Sequence, residues 1–264
     1  MEKILKNIKS HIEYRPTEFE AYQDYFDTLR LLGKEDKAKS FKHNLWLRGE
    51  TTRQCVAAKD PVVIERFYNL THKTYIYGAE RSFDDFMVAV EWQREPKAKF
   101  WVPRRNVLEG KHKIASRIQA FLDDPDALFL GFSMPPGCGK TTLIKFLLAY
   151  IYGQYPDSAN MYVSYADAMV KMVYDGVTSI ITDGVEYRFA DMFPTVKTPL
   201  CSAEYYTITA RKKGDFPTLG LISLGGSVTG RTRANKLLIT DDLVKNKELA
   251  RSPQRLETLY QDYL

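Results

Sequence analysis

The stretch Ser133-Met-Pro-Pro-Gly-Cys-Gly-Lys-Thr-Thr142 decides which fold this sequence predicts. It lies between an apolar run at 127–133, which predicts a buried β-strand, and a segment at 141–152, which predicts a helix ended by Gly153. Glycines let the chain turn so that backbone N–H groups point into one concavity, and the end of the following helix adds positive potential. A strand, a glycine-rich loop and a helix in this order predict a phosphate-binding loop.

The lysine and the hydroxyl that end the loop suit a magnesium nucleotide. Lys140 is expected to reach the β and γ phosphates, and the Thr141 hydroxyl to bind Mg²⁺. The usual motif has a glycine where this chain has Met134, and a chance Gly-Lys-Thr in a turn is the alternative. The residues expected to bind the nucleotide are Pro136, Gly137, Cys138, Gly139, Lys140, Thr141 and Thr142.

Two adjacent acids follow a second apolar run at 236–240. If that run is a strand, Asp241 and Asp242 lie at its carboxyl edge, where ligands bind in parallel sheets. Magnesium–nucleotide chemistry needs such a carboxylate near the phosphates. We expect Asp241 to hold Mg²⁺ and Asp242 to orient or deprotonate the attacking water, with an acidic turn that caps a helix as the alternative.

Further strands and helices alternate after residue 126. Apolar runs at 160–165 and 220–224 predict strands, 166–174 predicts a helix, and Ser252-Pro253 opens a last one. Continuous apolar strands alternating with helices predict a mainly parallel sheet with helices on both faces. Together with the loop, they indicate an α/β fold of the P-loop NTPase type over 81–264.

The first part of the chain, residues 1–80, predicts a helical region. Residues 17–20 match a capping box, and the helix that follows is expected to end at Gly33. Pro61 after Asp60 predicts a second helix start, and 82–85 a third.

Composition sets broad limits on the class of protein. The 264 residues are 44% hydrophobic and 27% charged, with a net charge of +5, which excludes a disordered or collagen-like chain. Three distant cysteines predict no disulfide framework and favour a reducing cytoplasm. The first fifteen residues do not resemble a signal peptide, and the apolar stretch 143–152 is too short to span a bilayer.

Residues 94–117 carry eight basic and two acidic residues around Phe100 and Trp101. A basic stretch with aromatics is typical of contact with a phosphate backbone, and a solvated helix face with two buried aromatics is the alternative. The basic residues include Lys97, Lys99, Arg104, Arg105, Lys111 and Lys113.

Residues 80–264 resemble the ATPase part of the large terminase subunit of tailed bacteriophages, the motor that packs DNA into a capsid. The order and spacing of several motifs carry this resemblance. They are Ser82-Phe-Asp-Asp85, Phe100-Trp-Val-Pro-Arg-Arg105, Pro135-Pro-Gly-Cys-Gly-Lys-Thr141, Tyr162-Val-Ser-Tyr165, Gly225-Gly-Ser-Val-Thr-Gly-Arg-Thr-Arg233, Leu237-Leu-Ile-Thr-Asp-Asp-Leu-Val-Lys-Asn246 and Ser252-Pro253.

The resemblance implies an ATP hydrolase that uses ATP and Mg²⁺ to move double-stranded DNA into a procapsid in the bacterial host cytoplasm. It also implies a portal protein and a small terminase subunit as partners, and a homo-oligomeric ring. Members of the family continue into an RNase H-like nuclease domain, whose clustered carboxylates are not found here. We therefore expect an ATPase-domain fragment that does not cut DNA alone.

The resemblance also bears on arginines. Many family members have an arginine in the loop, where this chain has Pro136 and Gly137. The charge-stabilising group is then expected from Arg231, Arg233 or a neighbouring subunit. Arg104 and Arg105 are expected at the outer side of the nucleotide pocket, with surface charge as the alternative. Asp242 stands where the family often has glutamate.

Three other classes remain open from sequence. A helicase or AAA-like ATPase would share both phosphate motifs but would not account for the Thr229-Gly230 segment. A small-molecule kinase would need a lid with several arginines after the loop, and the long helical region argues against it. A nucleotide-gated DNA-binding module would bind without catalysis, and DNA-stimulated ATP turnover would separate it from a motor.

Overall fold

The computed structural model describes residues 1–196, 199–210, 216–224 and 233–243. The chain divides into two compact units. The helical unit comprises Met1–Trp92 and Trp101–Ala127, and the sheet unit comprises Gln93–Phe100 and Leu128–Leu264. The last helix predicted from Ser252 lies outside the described residues.

The helical unit begins with four long helices packed in chain order. Helix α1 packs on α2, α2 on α3, α3 on α4, and α4 on the shorter α5. A π-helical turn, Asn106–Lys111, joins the last two helices of the unit. The helices are α1 Glu2–Tyr14, α2 Phe19–Glu35, α3 Lys37–Ala57, α4 Pro61–Ala79, α5 Phe83–Val90, α6 Trp101–Arg105 and α7 Ile114–Asp123.

Two helix starts agree with the sequence. The Asp60 carboxylate accepts a hydrogen bond from the Val62 N–H at 2.9 Å, one residue into α4. The Ser82 hydroxyl accepts one from the Asp85 N–H at 3.2 Å, at the start of α5. In both cases a short polar side chain satisfies an N–H group that has no acceptor within the helix.

The predicted capping box at 17–20 is wrong. Helix α2 begins at Phe19 with Glu18 at the N-cap and no side-chain cap. The Tyr22 hydroxyl donates to the carbonyl oxygen of Pro16 at 2.9 Å, and this bond holds the preceding residues in a turn. Thr17 therefore lies in that turn rather than at the helix boundary.

The predicted helix end at Gly33 is also wrong, because α2 continues to Glu35. Gly33 lies inside the helix at a close approach between helices. A Cβ atom at this position would be 2.1 Å from the hydroxyl oxygen of Tyr77, which belongs to α4. The glycine therefore makes room for a neighbouring side chain and does not end the helix.

An ion pair is buried inside the helical unit. The Arg48 guanidinium on α3 donates to both carboxylate oxygens of Asp85 on α5, at 2.5 and 2.6 Å. The Cζ atom of Arg48 lies 4.0 Å from the ring centroid of Tyr75. A Cβ at Gly78 would be 1.9 Å from the Asp85 carboxylate, so a glycine is required beside the pair. Because both charged groups are almost fully buried, loss of either one would leave the other as an uncompensated charge inside the unit.

The sheet unit contains a mixed sheet of order β2-β3-β4-β1-β5. Strand β1 is parallel to both β4 and β5, as predicted, whereas β3 is antiparallel to β2 and β4. Strands β2 and β3 were not predicted, because three residues are too few to show alternation. The strands are β1 Asn160–Ser164, β2 Leu200–Ser202, β3 Thr207–Thr209, β4 Leu219–Ser223 and β5 Leu237–Asp241.

Three helices accompany the sheet: α8 Lys140–Gln154, α9 Asp167–Thr182 and α10 Phe189–Met192. Helix α9 packs on β1 and β4, and α8 packs on α9. Helix α8 continues one residue past the predicted end at Gly153, to Gln154. A Cβ at Gly153 would lie 2.3 Å from the Phe193 ring, so the glycine makes room for that ring. The chain thus has an α/β fold with an N-terminal helical region.

The predicted strand at 127–133 is wrong. These residues form no regular element, and Leu128 and Phe129 are 94% and 86% exposed. A strand needs a neighbouring backbone as hydrogen-bond partner, and no described strand pairs with this run. Hydrophobicity alone did not indicate such a partner.

Among the described residues, no helix is long and apolar enough to cross a membrane.

Candidate phosphate and carboxylate site

The loop before α8 has the backbone that its glycines predict. Gly137 and Gly139 have φ angles of +81° and +88°, in the left-handed region that favours glycine. The Cys138 N–H donates to the Pro135 carbonyl at 3.3 Å and closes a tight turn. Space is also limited at Gly139, where a Cβ would lie 2.3 Å from the Phe100 ring.

Helix α8 begins at Lys140 with unsatisfied donors. The first hydrogen bond along the helix runs from the Leu143 N–H to the Gly139 carbonyl at 2.9 Å. The N–H groups of Lys140, Thr141 and Thr142 therefore have no acceptor within the helix. Gly139 at the N-cap has no side chain to accept from them. This end of α8 can thus offer several backbone donors to an anion.

Strand β5 ends in the two predicted acids. Asp241 is its last residue and lies beside Ser164, the last residue of β1. Its side chain is almost fully buried, and its Oδ2 accepts a hydrogen bond from the Tyr162 hydroxyl at 3.3 Å. Asp242 follows with a φ of +46°, and its side chain is 53% exposed. The two adjacent carboxylates therefore have different surroundings.

Lys140 contacts both acids, although it is 102 residues away from Asp242 in the sequence. Its Nζ lies 2.9 Å from Asp241 Oδ1 and 2.5 Å from Asp242 Oδ1. Partial burial acts to lower the pKa of Lys140, but the hydrogen bonds from the two carboxylates outweigh it and the pKa is raised. The lysine is therefore a firmly protonated counter-ion for both acids.

Tyr162 is a site residue that the sequence reasoning missed. It is fully buried on β1, and burial together with the charge of Asp241 raises its pKa. The hydroxyl therefore stays protonated and can donate to the carboxylate. Its position could have indicated this role, because Tyr162 lies two residues before the end of β1, the strand that pairs with β5.

Phe100 was also missed as part of the loop. It stacks on Phe146 of α8 with ring centroids 5.8 Å apart, and it packs against Gly139. No local pattern in the sequence links residue 100 to a loop nearly forty residues later. Its ring and that of Trp101 are both buried. The two aromatics in the basic stretch are therefore unavailable for stacking on bases, as the alternative interpretation expected.

The predicted arginines fall in three different parts of the chain. Arg231 lies outside them, and Arg233 is exposed. Arg104 and Arg105 belong to the helical unit. The Arg105 guanidinium donates to both oxygens of Asp84, at 2.8 and 2.5 Å, and this carboxylate raises the pKa of Arg105.

The acids could take part in a cation site only together with other ligands. Within the described ranges, no group of three or more histidine, cysteine or carboxylate side chains could hold a metal ion by itself. Mg²⁺ is commonly bound by one or two carboxylates plus substrate phosphates and water, so Asp241 with the Thr141 hydroxyl fits that type of site.

No protein-family model matches the chain, and neither does any curated protein or solved structure with which it was compared.

Proposed function

We propose that this chain is a magnesium-dependent ATPase with a P-loop NTPase fold. The main support for the proposal is that the Lys140 ammonium forms ion pairs with both Asp241 and Asp242. A lysine at the start of a helix, after a glycine loop, and a carboxylate at the end of a parallel strand are the two halves of a magnesium–nucleotide site. A chance Gly-Lys-Thr turn gives no reason for these two halves to meet.

The loop would bind the phosphates. The free N–H groups at the start of α8 supply directional donors, and Lys140 supplies a full positive charge. Lys140 is partly exposed and has a flexible stem, so a phosphate can draw it away from the carboxylates. Gly137 and Gly139 give the backbone the conformation that keeps these donors pointing outward.

Thr141 and Asp241 would hold Mg²⁺, which supplies charge neutralisation for the phosphates when it is bound. Asp241 suits this role because it is buried and held by the Tyr162 hydroxyl. Its orientation is therefore fixed before any ligand arrives.

Asp242 would act on the attacking water. Its carboxylate is about half exposed, so it can reach a water molecule while its backbone stays anchored to the end of β5. A carboxylate in this position accepts a hydrogen bond from the water and aligns it for in-line attack. Arg231, Arg233 or an arginine from a neighbouring subunit would stabilise the transition-state charge.

The order of motifs extends the proposal to the large terminase subunit, a motor that moves double-stranded DNA. The helical unit and the net charge of +5 are compatible with a protein that works on a polyanion. On this proposal the partners are DNA, a portal protein and a small terminase subunit, and the chain works in a homo-oligomeric ring in the host cytoplasm.

The test is ATP turnover with and without Mg²⁺ and double-stranded DNA. Lys140→Ala is expected to reduce turnover by at least about a hundredfold, because it removes the charge that contacts the phosphates. Lys171→Ala is the matched control, since Lys171 is an exposed lysine of the same unit that pairs with Asp175. Equal turnover in the two variants would contradict the phosphate-site assignment. Turnover that DNA does not stimulate would contradict the motor and leave a plain ATPase or kinase.

A further inference from the structure

A basic cleft opens in the helical unit and shares no residue with the phosphate loop. Its volume is about 620 Å³, and it is formed by the end of α2, the start of α3 and the turn after α4. Four cationic side chains line it: Arg30, Lys34, Lys37 and Arg81.

These four cations have no carboxylate partner within the described part of the chain. Among the described residues none of the four forms an ion pair, although two acids, Asp27 and Glu80, also line the cleft. Asp27 instead accepts a hydrogen bond from Gln23 at 3.0 Å. The cleft therefore has a surplus of two positive charges, and its cations are exposed and available to a ligand.

The floor of the cleft is held in place by a chain of hydrogen bonds. The Ser40 hydroxyl donates to the Leu29 carbonyl at 2.6 Å, so its own oxygen accepts from the Tyr77 hydroxyl, also at 2.6 Å. Gly33 leaves the space that the Tyr77 hydroxyl occupies. The ring of Tyr77 is thus fixed, and with Phe41 it gives the cleft two aromatic walls.

We propose that this cleft binds the phosphate backbone of a nucleic acid. Cations that track phosphates beside aromatic rings are the usual composition of such sites. A pocket for a small ligand buries most of its ligand, whereas the cations here are exposed and are spread over two helices and a turn. That arrangement suits a polymer that remains partly in solvent better than a free nucleotide.

This inference deepens the proposed function, since it names the surface through which the helical unit would contact DNA, but it does not depend on ATP hydrolysis. Lys140→Ala leaves the cleft unchanged and is expected to bind nucleic acid like the wild type. Failure of the ATPase proposal and failure of this one are therefore distinguishable.

The experiment measures binding of a fluorescent oligonucleotide of about 20 nucleotides, single-stranded and duplex, to the full chain at several salt concentrations. Lys34→Glu with Lys37→Glu is expected to weaken binding at least tenfold at low salt. The plot of log affinity against log salt concentration should become less steep, with the magnitude of its slope lower by about one to two. Each lost phosphate contact reduces that magnitude by roughly 0.7–0.9. Lys34→Gln with Lys37→Gln should show the same direction with a smaller effect.

The matched control is Lys3→Glu with Lys6→Glu, which changes the charge equally on α1 with two exposed lysines that do not line the cleft. Circular dichroism checks that all variants fold. Equal losses in cleft and control variants would overturn the proposal, because they would report net charge alone. Competition is a second check. If poly-glutamate or ATP displaces the labelled oligonucleotide as effectively as the unlabelled oligonucleotide does, the proposal is overturned too.

Discussion

The Tyr162 hydroxyl donates to Oδ2 of Asp241 while Lys140 contacts Oδ1 of the same carboxylate. A buried acid at the end of β5 is thus held by one neutral and one charged donor. Burial of a carboxylate is costly unless it is paired, and these two contacts provide the pairing. Asp242 also pairs with Lys140, which is its one partner among the described contacts, and its side chain remains half exposed.

We expect Tyr162→Phe to weaken magnesium-dependent nucleotide binding several-fold and to lower the free energy of unfolding by about 1–2 kcal/mol. The substitution removes the donor but keeps the ring, so Asp241 loses one of its hydrogen bonds inside the fold. Denaturant unfolding and nucleotide titration with and without Mg²⁺ measure the two effects. Tyr165→Phe, at the residue after β1, is the control and should change neither.

The two acids should give different kinetic defects. Asp241→Asn is expected to weaken Mg²⁺-dependent ATP binding, whereas Asp242→Asn should leave binding close to the wild type and reduce kcat at least tenfold. Binding isotherms and steady-state rates separate the two. Equal loss of binding in both variants would contradict the separate roles.

The two loop glycines should differ in their sensitivity to alanine. Gly137→Ala meets no atom within 4 Å and costs only the left-handed backbone, about 1–2 kcal/mol. Gly139→Ala has the same backbone cost and also collides with the Phe100 ring, so it should destabilise more.

The Phe100 contribution to that difference can be tested directly. Combining Gly139→Ala with Phe100→Leu should restore part of the stability lost in Gly139→Ala, whereas the same Phe100→Leu change should not help Gly137→Ala. Thermal unfolding of the two double variants and their single parents measures the coupling. Strict additivity in both pairs would mean that Phe100 does not press on the loop.

The buried Arg48–Asp85 pair should be much more sensitive to loss of one partner than to loss of both. Arg48→Met leaves an unpaired buried carboxylate and is expected to cost about 3–5 kcal/mol. Adding Asp85→Leu should recover a large share of that loss. Arg53→Met is the control, because Arg53 is exposed and pairs with Glu50 on the surface.

Local signals predicted part of the fold. The helix starts at Asp60 and Ser82 depend only on neighbouring residues, and the parallel pairing of β1 with β4 and β5 follows from continuous apolar runs. The sequence suggested a carboxylate near the loop, because a loop before a helix and the carboxyl end of a parallel strand face the same edge. The contact of Lys140 with both acids was not itself predicted.

Features that depend on distant residues escaped prediction. Gly33 and Gly153 resemble helix ends in sequence, yet each makes room for an aromatic side chain that is distant in the sequence. Tyr162 reaches the site through the pairing of β1 with β5, and Phe100 reaches the loop through its packing on Phe146 and Gly139. The apolar run at 127–133 shows the reverse case, in which local hydrophobicity was present without a pairing partner.

The short segment Gln93–Phe100 leaves the first unit, joins the second and returns, so the polypeptide passes between the two units three times. A fragment cut at Leu128 would therefore not be a complete copy of the second unit. It would lack Phe100, and with it the aromatic surface beneath Gly139 and beside Phe146. Neither unit can be isolated by a single cleavage of the backbone. The integrity of the loop depends on a segment that is separated from it in the chain by α6, the π-helical turn and α7.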